Sequence, residues 1–275
     1  MRSVVLAGRH GASAEPVPDG TIWARFPSRV ATFCLVELQK ISHDRTELVT
    51  RAVQPVLWLL IFGETFNRIH AIPTGHLRYL DFLAPGIIAQ SGMFVAIFYG
   101  IQIIWERDAG VLTKLLVTPT PRSALIVGKS FAAGIRSLAQ VVVVLVLSAI
   151  LGVSLSSNPL HILGAFVIVM LGSAFFSCLS MTIAGVVLKR DRLMGIGQMI
   201  TMPLFFASNA LYPVSIMPGW LRVLSKANPL SYEVDALRGI LVGTSANLGI
   251  DFLVLIGAVI IGITTASSLV NRLAR

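Results

Sequence analysis

Six stretches of this chain are apolar over about twenty residues, the length an α-helix needs to cross the hydrocarbon core of a bilayer. They fall at roughly 52–69, 82–104, 127–152, 160–187, 194–213 and 248–270. No water is present at that depth to satisfy free backbone groups, so such runs must fold as helices with their hydrogen bonds closed internally. The expected fold is therefore an all-α membrane protein with six transmembrane helices. The first run is the weakest, because Gln54, Pro55 and Glu64 interrupt it, and the fifth carries Pro203, which kinks a membrane helix without excluding it. Composition agrees, with 13% of residues charged against about 25% in a soluble domain.

The net charge of +9 would point to nucleic acid in a soluble protein. In a membrane protein, Lys and Arg collect in cytoplasmic loops instead, so no nucleic-acid partner is expected. The basic residues cluster before the first run, around the second loop (Arg107, Lys114, Arg122, Lys129), in "KRDR" (Lys189, Arg190, Arg192) and at Arg272 and Arg275. All of these share one side if both termini are cytoplasmic. Residues 1–26 read as a flexible cytoplasmic tail, whose five-residue apolar core is too short for a signal peptide. Residues 48–275 form the six-span domain.

Two further segments read as helices that do not span. Residues 27–47 place Val30, Phe33, Cys34, Leu38 and Ile41 on one face, which suits an amphipathic helix lying in the inner membrane interface. Residues 228–242 begin with Asn228 as cap and Pro229 in the first turn, then Glu233 and Asp235. Leu230, Val234, Leu237 and Leu241 give that helix an apolar stripe. With "MPGWLRVLSKA" before it, it makes a pair of short outer helices ahead of the last span.

Chemistry of its own is not visible in the chain. Gly128-Lys129-Ser130 ends like a phosphate-binding loop, but the first glycine position holds Ser123 and no strand precedes it. The five histidines and two cysteines lack metal-ligand spacing. The acidic residues fall in tails, loops or span ends. That leaves Arg136 as the ionisable side chain inside a run, near enough to its end to snorkel. No catalytic residue, cofactor site or metal site is expected, and proton-driven transport lacks a buried acid.

The second loop is more informative. Trp105, Ala109, Leu112 and Leu116 recur at helical spacing, leaving Glu106, Arg107, Asp108, Thr113 and Lys114 for the other surfaces. Pro119 and Pro121 stop the helix before the third run. Such an amphipathic helix suits lipid, and equally a groove in a cytosolic partner.

"ERDAGVLTKLLVTPTPRSALIVGK" resembles the signature of type-2 ABC exporter permeases, closest to the daunorubicin-resistance branch of multidrug permeases. "NPLSYEVDALRGIL" resembles a second segment of the same family, and together the resemblance covers about residues 27–275. It implies a cytoplasmic coupling helix, with Glu106, Arg107, Asp108, Gly110, Leu112, Lys114, Leu115 and Leu116 docking on a separate ABC ATP-binding subunit. ATP and Mg would be bound by that partner and none by this chain. The outer helices would be shaped by Trp220, Asn228, Pro229, Tyr232 and Arg238. Thr113 departs from the pattern, since many relatives carry an acid there, which puts in doubt any particular salt bridge to the ATPase.

The resemblance also implies that the second and fifth spans line a translocation route. Gln90, Phe94, Phe98 and Gln102 recur every four residues in the second. Gln198, Thr201, Phe205, Ser208, Asn209 and Tyr212 fall near one helical face of the fifth. The other reading of these polar groups is glue between helices, worth about 0.6–2 kcal/mol each. Ser173, Ser177 and Ser180 sit at packing intervals in the fourth span. The expected role is a permease subunit, pairing with a second copy or a paralogue among membrane lipids, that moves amphipathic or hydrophobic cargo across a bacterial plasma membrane. A polysaccharide or glycolipid exporter, a secondary transporter and a membrane-embedded structural or immunity protein are the alternatives.

Overall fold

The computed structural model describes residues 53–69, 72–110 and 122–273, with Ala31, Leu35, Gln39, Thr50 and Leu112 besides. The tail 1–26, most of the 27–47 segment and Lys114, Leu115 and Leu116 lie outside the described residues. Helical residues 53–57 lead into a π-helical stretch, Trp58–Gly63, which continues as α1 (Glu64–Ile69). There follow α2 (Tyr79–Asp108), α3 (Arg122–Ile150), α4 (Pro159–Val187), α5 (Arg190–Phe206), α6 (Gly219–Ala227), α7 (Pro229–Val242) and α8 (Leu248–Leu273).

Among the described residues, α2, α3, α4 and α8 are long and apolar enough to cross a membrane. The fifth run was expected to reach 213, but α5 stops at Phe206. Side chains account for the stop: Ser208 Oγ donates to the Phe205 carbonyl at 2.7 Å and Tyr212 Oη to that of Phe206 at 2.5 Å. Those carbonyls would otherwise need a further turn of helix.

α4 is the hub, packing against α2, α3, α7 and α8. Of the most apolar window of α2, 83% is buried, against 28% for α8, so α2 belongs to the interior and α8 to the periphery. Val142, Val146 and Ile150 of α3, Leu163 and Val167 of α4, and Leu253, Ile256 and Ile260 of α8 face outward. That apolar surface is compatible with lipid and not with water.

Small residues set the helix spacing, as close packing in membranes requires. Ser180 of α4 donates to the Ile97 carbonyl of α2 at 2.8 Å, and a Cβ at Gly100 would stand 2.6 Å from the Ser177 carbonyl. At the other end of α2, a Cβ at Gly86 would stand 2.5 Å from the Ala210 carbonyl oxygen.

α7 has the expected cap and stripe. Asn228 accepts from the Leu230 amide at 3.1 Å, and Leu230, Val234, Leu237 and Leu241 are all 1% exposed or less. α7 is wedged among α2, α4 and α8, whereas α6 packs on α7 and leaves Trp220, Val223 and Leu224 exposed.

Gly86→Ala should destabilise the chain by about 1–3 kcal/mol, because backbone must move to admit the methyl group. Gly195→Ala enters open space in α5 and should be neutral or stabilising by up to about 1 kcal/mol. Thermal unfolding of the detergent-solubilised variants checks this, and equal midpoints would refute the close approach.

Candidate functional site

Three groups of predicted residues are brought to three places. The first is the elbow where α2 ends. Gly110 has φ +71°, and α2 ends at Asp108. That left-handed turn suits glycine, and it breaks the continuous helix expected from Trp105 to Leu116. Trp105, Glu106 and Arg107 therefore belong to the end of a spanning helix, while Leu112, fully buried, lies beyond the turn. Lys129 Nζ contacts the Glu106 carboxylate at 2.5 Å with only 5% of its side chain exposed. Lys129 is thus a buried partner of α2. Arg107 Nη1 donates to the carbonyl of Leu188 at 3.0 Å and pairs with Asp108 at 2.8 Å. Leu188, at φ 57°, ends α4 in a left-handed turn, a cost that β-carbon sterics impose outside glycine. Arg190 lies over the Trp105 ring at 4.9 Å. Ends of α2, α3, α4 and α5 are thus tied together at one point.

The second place is a groove of ≈ 400 Å³ lined by Gln90, Ser91, Phe94, Val95 and Phe98 of α2, Gln140 of α3, and Thr50, Gln54 and Pro55. Gln90, Phe94 and Phe98 of the predicted stripe meet there, while Gln102 does not reach it. Among the described residues, no charged side chain lines the groove. Gln90 Nε2 and both amide atoms of Gln140 are buried without a hydrogen-bond partner. Unsatisfied amides in an apolar setting cost about 1–3 kcal/mol each, so these atoms call for hydrogen-bonding partners, which water or a guest can supply. Gln140 was not among the predicted residues; its signal was an amide set in the apolar run "SLAQVVVV".

The fifth-run stripe does not join this groove. Gln198 is exposed, Thr201 donates to the Gly197 carbonyl at 2.5 Å, and Phe205 is fully buried against Trp58 at 5.4 Å. Ser208, Asn209 and Tyr212 lie beyond the end of α5, so the helical face drawn through them is broken.

The third place surrounds α7. Arg238 stacks 3.8 Å from the Phe82 ring centroid and donates to the carbonyls of Phe82 at 3.3 Å and Asn209 at 3.1 Å. Its Nη1 stands 3.5 Å from Asp235, which also accepts from Asn209 Nδ2 at 2.5 Å. Asn228 Nδ2 donates to the Leu204 carbonyl at 2.6 Å, and Tyr232 Oη to that of Lys226 at 2.7 Å. Pro229 opens α7, and Trp220 on α6 is 67% exposed.

Glu233 overturns the expectation that every acid sits in a tail, a loop or a span end. It is 0% exposed, and neither carboxylate oxygen has a hydrogen-bond partner among the described residues. A Cβ at Gly172 would stand 2.0 Å from its Oε2, and one at Gly92 would stand 3.9 Å from its Oε1. The carboxyl fills a slot between two glycines near the midpoints of α2 and α4. Burial pushes it well above the ordinary carboxyl range. Its place was legible: Glu233 is three residues after Leu230 and four before Leu237, on the flank of the apolar stripe.

Residues 30–242 match the family described as ABC-2 type transporter. A putative transport permease of Porphyra purpurea is 32% identical over 203 residues, covering 73% of this chain and 69% of that protein. The corresponding permease of Cyanophora paradoxa is 30% identical, covering 70% of this chain and 66% of its own length. A daunorubicin resistance ABC transporter permease of Streptomyces coeruleorubidus is 24% identical, covering 89% of this chain and 82% of that protein. This chain belongs to the ABC-2 type transporter family.

Proposed function

We propose that this chain is the membrane subunit of an ATP-driven exporter that moves amphipathic or hydrophobic cargo out of the cell. The observation that carries the reading is the match of residues 30–242 to a transporter family, whose sequence hallmark here ends at a mechanically tied elbow. The segment between Gly110 and Arg122 would dock on a separate ATP-binding subunit in the cytoplasm. Glu106–Lys129 and Arg107–Leu188 would pass its displacement to α2, α3 and α4 together. ATP drives the cycle if the partner closes around it in one arrangement of the spans and not in the other.

In this reading the segment from 53 to 69 and α5 complete six crossings, both termini are cytoplasmic, and two permease subunits enclose the route. The phenylalanines and amides among the described residues of the groove support cargo with an apolar, ring-bearing body and groups that hydrogen-bond amides. Relatives named for daunorubicin and doxorubicin resistance agree with drug-like cargo.

Two outcomes test this. Arg107→Gln removes a charge-assisted hydrogen bond worth about 1.5–3 kcal/mol. It should lower the ATPase activity that the permease elicits from its co-purified ATP-binding partner by about tenfold, with membrane insertion unchanged. Normal stimulation in this variant would remove the lever role. Gln140→Leu, which leaves the groove's volume but not its amide, should raise the cargo concentration for half-maximal transport in vesicles by about fivefold or more. An unaltered value would show that the groove does not receive cargo.

A further inference from the structure

We propose that Glu233 is a proton-binding site that couples seating of the α6–α7 pair to pH: the seated helix holds a neutral carboxylic acid between Gly92 and Gly172, and unseating releases its proton. Three features of the slot carry this. Its position is deep, because Gly92 and Gly172 each lie thirteen residues into helices of 30 and 29 residues. The slot is full: a single methyl group at Gly172 would overlap the carboxyl. And it is unpaired, with both oxygens lacking a partner among the described residues.

An isolated carboxylate in such surroundings is too costly to persist, and it takes up a proton instead. A metal ion is a poor occupant, since it needs several oxygen or nitrogen ligands and no cluster of three His, Cys, Asp or Glu exists among the described residues. An organic cation is a poor occupant as well, for want of space. A proton needs neither.

The groups that face the carboxyl are neutral: Gly92 on α2, and Gly172 with neighbouring Ser173 on α4. Apart from Asp251, whose Oδ2 has no hydrogen-bond partner among the described residues, and Arg272 in the last turn of α8, the ionisable groups of the packed elements are engaged elsewhere. On α2, Asp81 pairs with Arg78 and accepts from the Ser154 amide, Tyr79 donates to the Leu211 carbonyl, and Tyr99 lies beneath Lys129 and Arg136 of α3. At the foot of α2, Glu106 holds Lys129 and Arg107 holds Asp108. On α4, His161 bonds Ser156 and Cys178 bonds Ser130. On α7 itself Asp235 and Arg238 face Asn209 and Phe82, and Asp251 lies in the first turn of α8.

The sign follows from the raised position of the seated acid. Below the ordinary carboxyl range, about pH 4, the acid is neutral in both states and pH has no effect. Above it, the unseated helix ionises and the seated one does not, so the seating equilibrium falls about tenfold per pH unit until the seated acid itself ionises.

The test uses the full chain in lipid nanodiscs, without any ATPase, so it stands apart from the exporter reading. Infrared spectroscopy at pH 7 should show the carbonyl stretch of a neutral carboxylic acid that Glu233→Gln abolishes. Backbone amides of 229–242 should exchange faster as pH rises from 5 to 8, after correction for the chemical exchange rate. In Glu233→Gln, which fills the same slot without a titrating proton, that rise should vanish and protection should stay high. Absence of the infrared band, or a pH response in Glu233→Gln equal to that of the parent chain, would overturn the proposal.

Discussion

The seating of α7 between α2 and α4 is the contact on which the rest of the described structure depends. Helices in a bilayer gain little from hiding apolar surface, since lipid is as apolar as leucine; they associate where backbones can approach closely and polar groups can pair. Gly86 lets α2 approach the backbone of Ala210 after α5, while Gly92 and Gly172 leave room for the Glu233 side chain of α7. The pairing comes from Arg238, whose guanidinium takes two carbonyls, a carboxylate and an aromatic face at once. Those carbonyls belong to α2 and to the turn after α5, so one side chain of a helix that does not cross fixes two elements around it.

α2 links everything of functional interest. Its 30 residues span about 45 Å at 1.5 Å per residue. Asp108 and Arg107 stand at one end, the amide-lined groove occupies the middle, and Phe82 and Gly86 hold the α7 region at the other. A displacement imposed at the elbow would reach both other places along this one helix. Pro85 falls beside Gly86, where a missing amide hydrogen bond and a missing side chain coincide.

Much of this was legible from residue type and spacing. The long runs gave α2, α3, α4 and α8 with ends displaced by a few residues, and the Asn-Pro pair gave the start of α7. What misled was the extension of one period past a local stop. The spacing of Trp105, Ala109, Leu112 and Leu116 is helical, but Gly110 interrupts it through a backbone angle that periodicity does not record. Hydrophobicity carries α5 on to 213, but the hydroxyls of Ser208 and Tyr212 terminate it. The Glu106–Lys129 pair escapes a reading by spacing, because its members stand 23 positions apart. Side-chain partners across helices are tertiary facts, and pattern reading sees them only when both members stand out.

Glu233 and Arg238 make the sharpest comparison, being buried ionisable residues five positions apart on one helix. The arginine has its charge met from four directions, as a permanent cation in an apolar setting must. The glutamate has none of its acceptors met, although Ser173 stands beside the same slot. A carboxyl tolerates this where a guanidinium does not, because it can become neutral by taking one proton, whereas arginine stays charged throughout the accessible pH range. The empty partner set of Glu233 is therefore consistent with a well-packed fold, provided the acid stays protonated while α7 is seated. A glutamine there would satisfy packing equally well. What the glutamate adds is a dependence of that packing on the proton.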